Sequence, residues 1–253
     1  MSIIKGSENI QILSGLVANN LRKSYGKRLV VKGISIHVQP GEVVGLLGPN
    51  GAGKTTTFSM LVGLLRPNDG EVLLDGDNIT HLRMYQRARR GVGYLPQELS
   101  IFRKLSVEDN IRSVLEIRGL NKDEINITVE SLLTDLGLHK IRKQLGYTLS
   151  GGEKRRTEVA RILAIQPRFL LMDEPFTGID PIAIADIQRL VLELRSKWGL
   201  GILITDHNVR ETLKIVDRTY ICYDGQILVS GTAQDLVENE EARRTYLGSD
   251  FTI

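Results

Sequence analysis

Gly48-Pro49-Asn50-Gly51-Ala52-Gly53-Lys54-Thr55 fits a phosphate-binding loop at every constrained position. The run before it, Glu42 to Leu47, is short, apolar and β-branched, as a buried parallel strand is. The run after it, Thr56 to Leu65, has the apolar spacing of a helix. Strand, glycine-rich loop and helix is the context that gives this motif its meaning. Its glycines allow backbone angles that turn successive N–H groups onto phosphate oxygens, and the helix start adds partial positive charge. Lys54 then reaches the β- and γ-phosphates of a nucleoside triphosphate, and the Thr55 hydroxyl sits on Mg²⁺.

Outward from this loop the chain alternates between strand and helix. Leu16 to Gly41 reads as β-rich and ends in the turn Gln39-Pro40-Gly41. A further strand over 70–76 closes in Asp75-Gly76, and a short one over 91–97 is stopped by Pro96. From Ser106 the texture turns helical. Ser106 and Asn121 each open a helix with acidic residues in the first turn, and a third runs from Ser150 through Arg161. Strands return over 169–172, 201–205 and 219–223, with a helix over 181–197 between the first two, the rhythm of a parallel sheet. The expected fold is α/β: a parallel-sheet core of the P-loop NTPase (RecA-like) type, an antiparallel β subdomain on its N-terminal side and a helical insertion over about 99–166. Residues 1–15 read as a loosely held extension and 16–253 as a single domain.

Composition narrows the function. The 253 residues are 42% hydrophobic and 25% charged, an ordinary globular balance. A net charge of +3 with dispersed Lys and Arg leaves no nucleic-acid footprint. Cys222 is the only cysteine, so an internal disulfide and a cysteine-built metal site are excluded, which suits a reducing compartment. Apolar runs reach about half a dozen residues, far short of the roughly 20 that span a bilayer. The first fifteen residues lack the pattern of a secretory signal. The expected location is cytoplasmic.

Two more segments carry chemistry. Phe169 to Met172 is an apolar strand that ends in Asp173-Glu174. Asp173 at that end can hold Mg²⁺ through water, and Glu174 can orient or deprotonate the water that attacks the γ-phosphate. Ser150 and Glu153 form a capping box, for which a helix start would be reason enough. A cap does not require Gly151 and Gly152, however. Those two bare the backbone at a helix start and so make a second anion site, one suited to another molecule's nucleotide.

The ordered set of phosphate loop, Gln97, Leu149-Ser150-Gly151-Gly152-Glu153, Asp173-Glu174, Asp180 and His207 resembles the ATP-binding cassette ATPases over about Leu16 to Gly231. The resemblance implies ATP and Mg²⁺, a cradle from Gly48 to Thr56, and Tyr25 as the aromatic that stacks on adenine. It makes Gln97 a contact to Mg²⁺ and the attacking water, and a sensor of the membrane partner. His207 becomes the switch histidine at the γ-phosphate, and Asp180 part of the loop that meets the opposite subunit. Two such chains would dimerise head to tail, each ATP lying between the Lys54 loop of one and Ser150-Gly151-Gly152 of the other. The family's signature ends in glutamine where this chain has Glu153, at a position that caps the helix.

Further strings narrow the resemblance within the family. Ala88 to Glu98, Ser100 to Val107, Asp206 to Leu213 and Tyr246 to Phe251 resemble the lipopolysaccharide-export ATPases of Gram-negative envelopes. Those act as homodimers on the inner face of the inner membrane beneath two different membrane subunits, powering lipopolysaccharide extraction. By this resemblance Phe102 and Arg103 line the groove that receives the permease subunits. The ATPase of a branched-chain amino acid importer shares the loop motif but carries more insertion before Gln97 and lacks the string from Asp206 to Thr212. A soluble cassette ATPase of DNA repair or ribosome work is the reading from another class. Repair types need a long coiled coil where this chain has about a hundred residues, and ribosome types hold two cassettes in one chain.

Overall fold

The helix that follows the phosphate loop lies between two sheets. The computed structural model describes residues 14–178, 181–248 and 251, with Pro181 known by its backbone alone. Along the chain come β1 (Leu16–Tyr25), β2 (Arg28–Val38), β3 (Val43–Leu47), α1 (Lys54–Val62), β4 (Asp69–Leu74), β5 (Asp77–Asn78), α2 (Met84–Ala88) and β6 (Val92–Leu95). Three helices follow: α3 (Val107–Ile117), α4 (Lys122–Asp135) and α5 (Gly151–Leu163). Then come β7 (Phe169–Asp173), α6 (Pro181–Trp198), β8 (Gly201–Thr205), α7 (Val209–Leu213), β9 (Arg218–Tyr223), β10 (Gln226–Gly231) and α8 (Ala233–Glu238).

The larger sheet has the order β10-β9-β3-β8-β7-β6, all parallel except the edge strand β10. Every residue of β3 and β8 is buried, as a parallel sheet covered on both faces requires. The smaller sheet, β2-β1-β4-β5, is antiparallel throughout. Phe58, Met60, Leu61 and Val62 of α1 pack with Val44, Leu46, Leu171 and Leu203 from one sheet and Leu21, Ile34 and Val72 from the other. Gripped from both sides, α1 buries Lys54, Thr57, Phe58, Met60, Leu61 and Val62.

On the opposite face of the large sheet Val43, Leu170, Met172, Ile202 and Ile204 meet Ile187, Leu190, Val191 and Leu194 of α6. The same core runs without a break into Ile111 and Leu115 of α3, Val129 and Leu132 of α4, and Val159 and Leu163 of α5. The helical segment between β6 and β7 is thus welded to the sheet by shared apolar contact. Its caps form as their residues dictate. Ser106 Oγ accepts from the Asp109 N–H at 3.0 Å, and the Asn121 side chain accepts from the N–H groups of Asp123 and Glu124.

Two boundaries differ from the sequence reading. The apolar run over 56–65 predicts a helix to Leu65, yet α1 ends at Val62. Gly63 takes φ 86°, and the N–H groups of Gly63, Leu64 and Leu65 all point to the Ser59 carbonyl at 3.1, 3.0 and 3.1 Å. Leu64 is left exposed beyond that turn. At the other end Gly15, counted with the extension, is tied down: it exchanges hydrogen bonds with the Asp75 backbone and carboxylate at 2.9 Å each. Residues 1–13 of that extension lie outside the described residues.

Candidate active site

Three loops meet at the carboxyl ends of β3, β7 and β8, the edge of an open α/β sheet where ligands bind. The first is the phosphate loop. Lys54 begins α1 with its side chain folded back, and Nζ donates to the carbonyls of Gly48 at 2.6 Å and Pro49 at 3.0 Å. Burial lowers the pKa of this ammonium, while Cys222 and Glu174 nearby raise it. Behind the loop, the Ala52 carbonyl accepts from the Gly225 N–H and the Cys222 thiol, both at 2.9 Å. Burial pushes that thiol up to about 11.

The second loop begins with Asp173 and Glu174. Asp173 Oδ1 accepts from Thr205 Oγ1 at 2.7 Å. Burial raises its pKa; the Thr205 hydrogen bond opposes this, and the Glu174 charge adds to it. Glu174 takes φ 46°, a left-handed conformation that costs a non-glycine residue about 1 kcal/mol or more. Its N–H is held by the Thr205 carbonyl at 2.7 Å, and Thr177 Oγ1 donates to its Oε2 at 3.3 Å. The strained turn lifts the carboxylate off the strand end toward the phosphate loop.

The third loop follows β8. His207 Nε2 lies 2.7 Å from Glu174 Oε1. Asp206 beneath it is fully buried and ties the second and third loops together. It accepts from the Phe176 N–H at 2.8 Å and the Asn208 N–H at 2.7 Å. Burial raises its pKa, and these backbone donors hold it back.

A single open pocket results, lined by Val30, Asn50, Gly51, Gly53, Lys54, Thr55, Thr56, Glu174 and His207. The phosphate loop, Glu174 and His207 are therefore brought together, although 120 residues separate Lys54 from Glu174. Gly48, Pro49 and Ala52 belong to the same loop but not to this lining, and Gly48 and Ala52 are buried. Asp173 stands one residue back from the lining. Other expected residues stand apart. Tyr25 is exposed at the end of β1, with the Lys23 ammonium 5.9 Å from its ring centroid. Gln97 is exposed two residues past β6. Ser150, Gly151 and Gly152 open α5, where Ser150 N–H donates to Glu153 Oε2 at 2.8 Å and Ser150 Oγ accepts from the Glu153 N–H at 3.4 Å. Phe102 and Arg103 sit at the surface, Phe102 with the Arg161 guanidinium 4.2 Å from its ring. Asp180 lies outside the described residues.

Sequence reasoning missed three contributors. Val30 enters from β2, and no local pattern marks a hairpin residue as a pocket wall. Thr205 and Asp206 do leave a signal: polar residues directly after the apolar run 200–204 have to be satisfied inside the fold.

A family model described as ABC transporter matches residues 31–177. The lipopolysaccharide export system ATP-binding protein LptB of Acidithiobacillus ferridurans is 55% identical over 94% of this chain and 98% of its own length. Its counterpart of the same name in Haemophilus influenzae is 50% identical over 95% of this chain and its whole length. Among solved structures, the ADP conformation of MJ1267, an ATP-binding cassette of an ABC transporter, superposes with a TM-score of 0.82. It is 27% identical and covers 93% of this chain and 99% of its own. With this site, this topology and these relatives, the chain belongs to the ABC transporter family, as one of its ATP-binding, ATP-hydrolysing subunits.

Proposed function

We propose that this chain is the cytoplasmic ATPase of a lipopolysaccharide exporter, a single cassette over 16–253 with its helical insertion at about 99–166. The observation that carries the chemistry is the 2.7 Å pairing of His207 with Glu174 in one pocket with Lys54 and Thr55. The export assignment is supported by relatives of that name that align over nearly their full length.

The triphosphate lies on the N–H groups from Gly51 to Thr56 at the start of α1. Lys54 leaves the Gly48 and Pro49 carbonyls for the β- and γ-phosphates. Tyr25 stacks on the base. Thr55, Asp173 and Gln97 supply hard oxygen donors that fit Mg²⁺. No group of three His, Cys, Asp or Glu that could hold a metal exists among the described residues. The ion's remaining contacts are thus left to phosphate and water, the usual habit of Mg²⁺. Bound there, Mg²⁺ would neutralise charge on the phosphoryl oxygens. Glu174 takes the proton of the water whose oxygen attacks the γ-phosphorus, while the bond to the β-phosphate oxygen breaks and ADP leaves. His207 first orients Glu174 and then meets the γ-phosphate.

Assembly follows from Gly151 and Gly152. A β-carbon added at either would meet nothing within 4 Å among the described residues, whose packing does not require glycine there. A second copy that brings its phosphate against the start of α5 does. The head-to-tail homodimer, with Asp180 at its seam, works beneath two permease subunits received at Phe102 and Arg103. No described helix is long and apolar enough to cross a membrane, which leaves the passage of lipopolysaccharide to those subunits.

Glu174→Gln tests this reading. The amide fills the same space but cannot take the proton, so turnover should fall at least ~10²-fold with ATP affinity kept. ATP should then trap the variant as a dimer in light scattering. Full turnover would remove Glu174 as the base, and an ATP-loaded monomer would sink the shared site. Proteoliposomes holding the chain with its permease subunits should release lipopolysaccharide only with hydrolysable ATP; ATP-independent release would end the export assignment.

A further inference from the structure

One side of α5 is charged and turned inward. Arg155, Glu158 and Arg161 recur three residues apart and so share a side of the helix. Arg155 is 6% exposed and Glu158 only 1%. All three hold the backbone of the loop after β6. Arg155 Nη1 donates to the Pro96 carbonyl at 2.9 Å and to Glu158 Oε2 at 3.3 Å. Glu158 Oε1 accepts the Ser100 N–H, and Arg161 Nη1 donates to the Ser100 carbonyl at 2.6 Å. Both backbone polar groups of Ser100 are therefore taken up by one helix.

A buried ion pair is a weak stabiliser, because desolvation offsets most of the attraction, and an apolar pair of the same size would hold α5 as well or better. The pair does something an apolar one cannot, which is to fix a loop by its backbone. From Gln97 to Phe102 only Ile101 is buried, and past Ser100 the loop is next held at Phe102, whose N–H donates to Asn110 Oδ1 at 2.9 Å and whose carbonyl accepts from Asn110 Nδ2 at 3.1 Å. Gln97 lies directly after one anchored residue, Pro96, and three before the other, Ser100. Its reach into the site is set by those two anchors.

We propose that Glu158, acting through Ser100, is a positioning residue for hydrolysis. It binds the loop that bears Gln97 to the helix that begins at Ser150, so that loop and helix move as one body when nucleotide binds. This rests on the role proposed above for Gln97 at the attacking water. Loss of the grip should slow the chemical step and spare the phosphate loop, which α5 does not touch through these groups.

The experiment uses the full chain with Arg155 and Glu158 both changed to Met, an apolar pair of similar reach. The thermal midpoint should stay at or above that of the parent, and the KM for ATP within two-fold. At the same time kcat should fall at least ten-fold, and hydrogen exchange at the Ser100 amide should rise at least ten-fold. Glu158→Gln, whose side-chain carbonyl still accepts the Ser100 N–H, should keep kcat within three-fold of the parent. A folded double variant with parental kcat overturns the proposal, and so does an unchanged Ser100 amide. Should the double variant unfold, the parent chain decides: on adding ATP, exchange over 96–102 and over the first turn of α5 must slow together. Independent changes overturn the proposal. A parent chain that does not hydrolyse ATP would overturn the proposed function instead and leave the exchange result to be judged separately.

Discussion

Gly48 directly follows β3 with φ 149°, and a β-carbon there would stand 2.0 Å from the Cys222 carbonyl oxygen. No rotamer relieves that contact, because both atoms belong to backbone. The loop would have to move off β9, which would break the two hydrogen bonds that hold the Ala52 carbonyl and displace the carbonyls that hold Lys54. Gly48→Ala should therefore abolish ATP binding in calorimetry and lower the thermal midpoint by several degrees. An alanine variant that binds ATP normally would mean the loop is not braced by β9. Glu174 shows the same economy with a different residue. Its left-handed backbone is unusual for a carboxylate-bearing side chain, and the strain is held by the Thr205 carbonyl and by Asp206 below. None of this was legible in Asp173-Glu174 as letters. The sequence marks an acidic strand end, whereas the lift toward the pocket comes from β8, some 30 residues later.

Among the elements, α3 carries the clearest pH dependence. Glu108 in its first turn is 7% exposed and receives Arg142 at 3.0 Å, Arg112 at 3.2 Å and Lys143 at 2.8 Å. Arg142 continues to Glu130 of α4 at 2.7 Å, so one network pins α3, α4 and the segment before α5. Hydrogen bonds from Arg142 first, then Lys143, hold the Glu108 carboxyl at about 2, against an ordinary 4.5. A folded pKa below the unfolded one stabilises above the unfolded value and is lost as pH falls through the folded one. Glu108→Gln should cost about 2 kcal/mol at pH 7, a figure held down by the exposure of Lys143. The gap between variant and parent should close as pH drops from 4.5 toward 2 in a series of melts followed by circular dichroism; a gap independent of pH would remove Glu108 from the network. Helix starts were readable here because Ser106, Asn121 and Ser150 act within four residues of themselves. The end of α1 was less so, since Leu64 and Leu65 continue the apolar spacing and only the backbone of Gly63 stops it. Arg155, Glu158 and Arg161 pose the opposite problem. A charged stripe on a helix reads as its solvent side, and only the loop laid over it buries it.

For the whole molecule the question is why α5 should begin with two glycines. Glycine costs the interior of a helix about 1 kcal/mol relative to alanine, through the extra freedom it loses on folding, and less in the first turn, where these two sit. Neither Gly151 nor Gly152 repays that cost among the described residues: neither has positive φ, and none of those residues lies within 4 Å of either added β-carbon. Judged on the monomer alone, both are defects. Gly151→Ala and Gly152→Ala should then raise the thermal midpoint of the nucleotide-free chain, or leave it unchanged, and leave ATP affinity at the phosphate loop within two-fold. In the head-to-tail pair proposed above the same positions would face the partner's γ-phosphate, where a methyl group would displace an oxygen from the backbone N–H groups. ATP-driven dimerisation, read by light scattering in the Glu174→Gln background, should therefore be lost in both, and so should turnover when Glu174 is kept. Two outcomes would count against the shared site. Dimers that form normally would show the glycines are not at the seam, and monomers that unfold would show that α5 needs them for itself. The expected combination, a sturdier monomer that cannot pair, is one that no defect of folding produces.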